Sequence, residues 1–245
     1  MISVCMATYN GEKFIRKQVD SILKQLSVDD ELIISDDGSS DGTIKILESY
    51  HDDRIKIVHH EKKDKSDCKI LNNFHKTAQN FENALKVASG DYIFLSDQDD
   101  IWAEDKVTKF VDLLQKNIFV ISNFSVIDSQ GNIIKKVEYE IPPVTDLFIS
   151  NFIHQRFMNC CSAFRKELLP FILPFPKRIK CSDSYIGLIA SLCGKISYIH
   201  EPLIFYRRHG SNVSSASSKS KNSLFVKIYY RLEIFFQVVK KIYSR

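Results

Sequence analysis

Over its first 120 residues the chain alternates strand-like and helix-like segments, and that alternation limits its fold more than any other feature. Ile2 to Met6 is a compact apolar run of strand length, the Ala7-Thr-Tyr-Asn-Gly11 loop follows, and Ile15, Val19, Ile22, Leu23 and Leu26 then recur at helical spacing. Glu31 to Ser35 reads as a second strand and completes a β-α-β unit. A helix over Ile44 to Tyr50, a strand from Ile55 to His59 and a helix ending near Ala88 continue the pattern. Strands joined through helices pair in parallel and are covered on both faces, so this half predicts an open α/β sheet with helices on either side.

The fourth strand carries the chemistry. In Asp91-Tyr-Ile-Phe-Leu-Ser-Asp-Gln-Asp-Asp100, Gly90 stops the preceding helix, Tyr92 to Leu95 supply a buried strand, and Asp97, Asp99 and Asp100 fall at its C-terminal end. In open α/β sheets ligands sit at that end. Crowded carboxylates repel unless a cation lies between them, and alternating oxygen ligands suit a hard ion such as Mg2+ or Mn2+, which in turn grips a diphosphate. The plainer alternative is that Asp99 and Asp100 cap a helix running from Ile101 to Lys116. The second strand ends in Asp36-Asp37-Gly38-Ser39-Ser40-Asp41-Gly42-Thr43. A carboxylate there is placed to accept from a base N–H or a ribose hydroxyl, while Asp and Gly also form turns on their own account. The chain has neither a G-x-G-x-x-G fingerprint nor a phosphate loop with its lysine, so metal and carboxylates are left to hold the phosphates.

Composition narrows the class. A chain of 245 residues, 44% hydrophobic and 26% charged, has the length and balance of one larger α/β domain, or of a domain with an appendage. A net charge of +4 does not argue for nucleic acid as a partner. The six cysteines, Cys5, Cys68, Cys160, Cys161, Cys181 and Cys193, show no C-x-x-C spacing and read as reduced, buried small hydrophobes of a cytosolic protein. Met1 leads straight into Ile2, Ser3 and Val4, so no signal peptide is expected, and no apolar run is long enough for a transmembrane helix.

Three stretches, Ile2-Ser-Val-Cys-Met-Ala-Thr-Tyr-Asn-Gly11, Ile34-Ser-Asp-Asp-Gly-Ser-Ser-Asp-Gly-Thr43 and Phe94-Leu-Ser-Asp-Gln-Asp-Asp-Ile-Trp102, together resemble the family 2 inverting glycosyltransferases of the GT-A fold. The resemblance implies a nucleotide-sugar donor, a divalent cofactor (Mn2+ or Mg2+) and a glycan or lipid-linked acceptor on the cytoplasmic side of a membrane. It implies that Thr8, Tyr9 and Asn10 line the nucleotide, with Tyr9 stacking on the base, and that Asp36 and Asp37 serve base or ribose. Asp97-Gln-Asp99 is then the D-x-D motif, with Asp97 at both nucleotide and metal and Asp99 as principal metal ligand. The Ser-Asp-Gln-Asp-Asp-Ile-Trp wording is similar to the rhamnosyltransferase-like branch, implying dTDP-rhamnose as donor, or otherwise a UDP-sugar.

Past Trp102 the alternation weakens. Phe119 to Phe124 reads as a strand, Asp128-Ser-Gln-Gly131 as a hairpin turn, Pro142-Pro143 as a break and Leu147 to Phe152 as a short helix. Asn159-Cys-Cys-Ser-Ala-Phe-Arg165 and the helix-like Lys166 to Leu173 resemble the family's acceptor-side strand and helix. Asn159 stands where that family often has Gly, so no role is carried over, and Cys160 and Cys161 read as core. Cys181-Ser-Asp-Ser-Tyr185 opens a helix closed by Gly194. Asp183 in its first turn is either a cap or the base that takes the acceptor hydroxyl's proton. In the resembling family an acid at this place is that base, usually after His or Glu; here Ser182 precedes it. After strands at Lys195 to His200 and Leu203 to Tyr206 comes Arg207-Arg-His-Gly-Ser-Asn212. A departing diphosphate needs cations. The family resemblance assigns Arg207 and His209 to it, with His209 as a third metal ligand, whereas a solvated basic turn is the plain alternative.

Residues 211–223 are Ser-rich and read as a flexible linker. From 224 to 245, Leu224, Phe225, Ile228, Leu232, Phe235, Phe236, Val239 and Ile242 share one helical face, with Lys227, Arg231, Lys241 and Arg245 opposite. Such a basic amphipathic tail lies on an anionic membrane, or packs on a partner or on its own domain. The sequence thus predicts a single GT-A domain over 1–210, nucleotide-diphospho-sugar transferase-like, with a central mostly parallel sheet flanked by helices. Within it, 1–120 is the donor-nucleotide half and 121–210 the acceptor half. The expected activity is inverting transfer of a sugar in cell-surface polysaccharide synthesis, with the protein cytoplasmic and peripheral on the inner face of the cell membrane. The rival readings are a sugar nucleotidyltransferase, which releases pyrophosphate, and a non-catalytic glycan-binding protein.

Overall fold

The computed structural model describes residues 1–60, 69–139, 144–154, 156–177, 179, 181–210, 212 and 224–243. Cys68, the Pro142-Pro143 break and, apart from Asn212, the stretch expected as a linker lie outside them.

The first half folds as its alternation demands. Strand β1 (Ile2–Thr8) leads through α1 (Ile15–Leu23) to β2 (Glu31–Asp36), then through α2 (Thr43–Glu48) to β3 (Ile55–His59), and α3 (Lys69–Leu85) leads to β4 (Tyr92–Ser96). Every residue of β1 and β2 is buried, as expected of strands covered on both faces. Helix α1 turns Ile15, Val19 and Ile22 inward. These four strands are parallel, in the order β3-β2-β1-β4. The chain builds outward from β1 to β3 and then crosses to the other side of β1, so the topology switches between β1 and β4, where a crevice opens at the carboxyl ends of the strands. Gly90 belongs to this framework: a Cβ on it would lie 2.6 Å from the Ser3 nitrogen, so only glycine lets the approach to β4 pass against β1.

Beyond β4 the sheet becomes mixed. The segment expected to start a helix at Ile101 instead forms the short strand β5 (Ile101–Trp102), and α4 runs only over Lys106–Leu114. Pairing decides this, because Ile101 and Trp102 align antiparallel with Phe205 and Ile204 of β9 (Ile196–Arg207). Strand β6 (Phe119–Ile127) pairs with β7 (Ile133–Lys135) through the expected turn at Asp128, pairs antiparallel with β8 (Ser162–Arg165) and parallel with β9. Strand β8 enters antiparallel between β4 and β6 and gives the order β3-β2-β1-β4-β8-β6-β9-β5. The two strands expected around Pro202 are one continuous strand whose register slips at that proline, the kind of irregularity where a residue without an N–H is tolerated. The helix expected over Lys166 to Leu173 is a 3-10 turn followed by the single turn α6 (Leu169–Ile172). Helices α5 (Phe148–His154) and α7 (Ser182–Cys193) cover this half.

The tail forms α8 (Leu224–Tyr243) and packs on its own domain against α5, α6 and α7. Ile234 and Val238 are buried, the Phe235 ring lies 5.4 Å from that of Phe152, and Lys241 Nζ donates to the Leu173 carbonyl. The buried seam thus lies on the side that carries Lys241, expected to be the basic one, whereas Ile228, Leu232 and Phe236 of the expected apolar face point outward, Phe236 at 65% exposure. No helix among the described residues is long and apolar enough to cross a membrane. Cys5, Cys160, Cys161, Cys181 and Cys193 are all free thiols, and the first three are buried as expected.

Candidate active site

Loops after β1, β2 and β4 meet at the switch point. In the first, Thr8 is buried and its Oγ1 donates to Gln98 Oε1 at 2.5 Å. Tyr9 is half exposed (50%) at the tip of this loop. Asn10 adopts φ 50°, a left-handed conformation that Asn tolerates. Its amide donates to Ser39 Oγ and its Oδ1 accepts from the Ser40 amide, both at 2.8 Å, so the first loop is tied to the second.

The two acids after β2 divide their work. Asp36 is buried and fully engaged in its turn: Oδ2 accepts from the amides of Gly38 and Ser39 at 3.0 and 2.8 Å, and Oδ1 from Ser39 Oγ at 2.5 Å. Gly38, at φ 77°, supplies the left-handed residue that this turn needs. Asp37 lies toward the end of β3, with its Oδ1 3.0 Å from His60 Nδ1. Of the pair, Asp37 is the one aimed away from its own turn.

The acid loop after β4 is electrostatically strained. Burial pushes the Asp97 carboxyl up to about 7, and the negative charges of Asp99 and Asp183 reinforce the rise. Asp100 is wholly buried and is raised well above the ordinary carboxylate range by burial and by Asp99 and Asp97. Its Oδ1 accepts from the Arg207 amide at 2.9 Å, and its Oδ2 has no hydrogen-bond partner among the described residues. Two buried cations stand under the loop. Lys106, the first residue of α4, has no exposed surface; its Nζ donates to the Cys160 carbonyl at 2.7 Å and lies 4.2 Å from the Trp102 ring centroid, and burial pushes its pKa down to about 8. Arg207 is equally buried. Its Nε donates to the Asp99 carbonyl at 2.9 Å, its Nη1 to the carbonyls of Asp128 and Ser129 at 3.0 and 3.3 Å, and its guanidinium lies 4.9 Å from the Phe14 ring. The residue expected to face a diphosphate thus braces the acid loop from below, and only its Nη2 lacks a partner among the described residues.

His209 and Asp183 close the arrangement. His209 Nε2 lies 2.8 Å from Asp99 Oδ2, its ring sits 4.9 Å from that of Phe14, and its amide donates to Asn212 Oδ1 at 2.6 Å. Asp183, in the first turn of α7, accepts from the Cys181 thiol at 2.7 Å and from the Ser184 amide at 3.0 Å. Burial raises its pKa, and its charge is felt at Asp97. Asn159 Nδ2 donates to Ser182 Oγ at 3.0 Å and so fastens the turn before β8 to the start of α7.

The donor set fits a divalent cation. Asp99 and His209 offer a carboxylate and an imidazole side by side, and the imidazole makes the pair better suited to a transition-metal ion such as Mn2+ than to Mg2+. Asp97, Asp100 and Cys160 offer ligand atoms within 4.8 Å of one another, and the partnerless Asp100 Oδ2 among mutually repelling acids is the kind of site that a positive ion relieves. The fold thus pairs Asp99 with His209 and brings Asp97 within electrostatic reach of Asp99 and Asp183, although the ligand atoms it sets within 4.8 Å of one another are those of Asp97, Asp100 and Cys160; Tyr9 and Asp37 lie in the loops beside them, and Asp36 and Arg207 are withdrawn into the framework. It also brings in Gln98, Lys106, His60 and Phe14, which sequence reading passed over. Lys106 alone had a signal: a lysine at the inward position of an amphipathic helix, four residues after Trp102, next to three acids.

The glycosyl transferase family 2 model matches residues 3–172. The chain is 30% identical to an Escherichia coli protein, the UDP-Glc:alpha-D-GlcNAc-diphosphoundecaprenol beta-1,3-glucosyltransferase WfgD, over 90% of this chain and 81% of that one. It is 28% identical to the dTDP-rhamnosyl transferase RfbG of Shigella flexneri, over 94% and 82% respectively. Among solved structures, S. aureus TarS in complex with UDP-GlcNAc superposes with a TM-score of 0.69 at 20% identity, covering 98% of this chain and 66% of that one. The mannosyltransferase PcManGT of Pyrobaculum calidifontis, in complex with GDP-Man and Mn2+, superposes at 0.57 and 19% identity, covering 100% and 64%. The fold is that of the GT-A glycosyltransferases, and the chain belongs to glycosyl transferase family 2.

Proposed function

We propose that this glycosyltransferase is metal-dependent and inverting, and moves a sugar from a nucleoside-diphosphate sugar, dTDP-rhamnose first and a UDP-sugar otherwise, to a glycan or lipid-linked acceptor of a cell-surface polysaccharide. The observation that carries this reading is the convergence of Asp183 with Asp97 and the Asp99–His209 pair: a base candidate and a cation-binding set share one cluster at the carboxyl ends of β1 and β4. WfgD and RfbG, whose names give a UDP-glucose and a dTDP-rhamnosyl activity, support the donor class.

In this reading Tyr9 supports the base and Asp37 accepts from base or ribose. Asp97, Asp99 and His209 would hold a divalent ion, which would supply positive charge to the diphosphate. Asp183 takes the proton of the acceptor hydroxyl as its oxygen attacks the anomeric carbon; the bond from that carbon to the diphosphate oxygen breaks, and the nucleoside diphosphate leaves with the bonding electrons. Burial raises the Asp183 pKa above the ordinary carboxylate value, which strengthens it as a base. One displacement inverts the anomeric centre. Arg207 acts by holding the acid loop from below. We divide the chain into a donor half over 1–120, an acceptor half over 121–210, a linker and the tail. With its inner face on the domain, the tail presents Ile228, Leu232 and Phe236, with Lys240 nearby, to an anionic membrane at the cytoplasmic face.

The test is to assay the protein with nucleotide sugars and candidate acceptors for release of nucleoside diphosphate, and to read the product's anomeric configuration by NMR. The reading predicts an inverted product and, for Asp183→Asn, which keeps the side chain's size, a loss of turnover of about a hundredfold or more with donor affinity preserved. Release of pyrophosphate, or normal turnover by the variant, contradicts it.

A further inference from the structure

Gln98 stands between two acids of the D-x-D motif, yet its side chain turns toward the loop after β1. Its Oε1 accepts from the Tyr9 amide at 2.8 Å as well as from Thr8 Oγ1, and its Nε2 donates to the Tyr9 carbonyl at 3.0 Å. A side-chain amide therefore pairs with both polar groups of one backbone residue, much as one strand residue pairs with another. The pairing also fixes which end of the amide is oxygen, since the Tyr9 N–H needs an acceptor and its carbonyl a donor. Gly11 leaves the space that the amide fills: a Cβ there would lie 2.5 Å from Gln98 Oε1. The far side of the same loop is held by Ser39 and Ser40 through Asn10.

We infer that Gln98 is a positioning residue that makes nucleotide binding and divalent-cation binding cooperative, by joining the main chain at Tyr9 to the metal-binding acids on either side of it. An ion that fixes Asp97 and Asp99 also fixes the peptide between them, and the amide of Gln98 passes that order to the loop presenting Tyr9. This rests on the donor reading given above. Gln98 is not a ligand, so its removal weakens the part of the coupling that passes through the main chain and leaves both binding events, and the direct attraction of ion for phosphate, in place.

Two variants break the link from opposite ends. Gln98→Met removes all three hydrogen bonds without adding charge. Gly11→Ala places a methyl group where the amide sits and displaces its flexible end. Titrations of UDP and of dTDP are made with Mn2+ and with EDTA, Mn2+ binding alone is followed by the electron paramagnetic resonance signal of the free ion, and thermal midpoints are recorded. Wild type should bind one of the two nucleotides about tenfold or more tighter with Mn2+. In both variants that enhancement should fall to about threefold or less, with Mn2+ affinity alone and the thermal midpoint close to wild type. An unchanged enhancement in either variant overturns the inference. So does a loss of Mn2+ affinity with a lowered midpoint, which would make Gln98 a mere part of the metal loop. Failure of wild type to bind either nucleotide overturns the donor reading, and this inference with it, before any variant is compared.

Discussion

Single residues decide how this site responds to pH. Asp97 has its pKa raised to about 7 in the fold, well above its value of about 3.9 in an unfolded chain. The folded protein therefore holds that proton more tightly than the unfolded one. The group's contribution to metal-free stability is present in full below about pH 4 and is lost as pH rises through about 7. A cation needs the ionised carboxylate, so proton and metal compete for it. The increase in thermal midpoint produced by Mn2+ should accordingly be larger at pH 8 than at pH 6; an increment independent of pH would remove Asp97 from the metal site. The burial of Arg207 is not legible in the sequence. A Tyr-Arg-Arg-His string looks like a basic turn ready for phosphate, and nothing local shows that Asp99, Asp128 and Ser129 turn their carbonyls toward the first arginine. That burial comes from strands β6 and β9 meeting the acid loop, a contact between distant segments. Asp183 was legible because a helix start is a local feature.

At the scale of elements, the β-α repeats of the first half could be read because each helix and strand carries its own period and its own turn residues. Local rules failed where a distant partner decides. Ile101 and Trp102 continue a helical pattern on paper but are claimed by β9, about a hundred residues away. For the same reason β8, whose four residues give little periodicity, was placed only approximately, and Pro202 seemed to divide what is one strand. The tail shows a similar effect, since the domain takes Ile234 and Val238, on the side that carries Lys241, as the inner seam and not the face with the longer apolar run. Two sets of variants separate the roles of its faces. Ile234→Ala should destabilise the protein by about 2 kcal/mol or more, measured by denaturant unfolding, because it empties a buried position. Leu232→Gln with Phe236→Gln should leave stability within about 0.5 kcal/mol of wild type while lowering co-sedimentation with anionic vesicles. Equal vesicle binding by that double variant and wild type would refute membrane docking through this stripe.

Taken as a whole, the molecule is a parallel half that gathers three polar loops at a switch point, joined to a mixed half that brings Asp183, Arg207 and His209 to the same place. The halves meet at the acid loop: Arg207 fastens it to the hairpin after β6, His209 pairs with its Asp99, and Lys106 ties the start of α4 to the turn before β8. The arrangement makes sense if the acids hold a cation that in turn holds a nucleotide sugar, and Asp99 is where that claim can be tested without knowing the acceptor. The measurement is the thermal midpoint of wild type and of Asp99→Asn with a panel of nucleotide sugars, each in Mn2+ and in EDTA. At a ligand concentration about a hundred times its dissociation constant, binding to the folded state adds roughly 2.7 kcal/mol, or about 5–10 °C for a chain of this size. One nucleotide sugar should produce that shift in wild type with Mn2+, and neither EDTA nor Asp99→Asn should permit it. The account is contradicted if no nucleotide sugar raises the midpoint, or if the same shift persists both in EDTA and in Asp99→Asn.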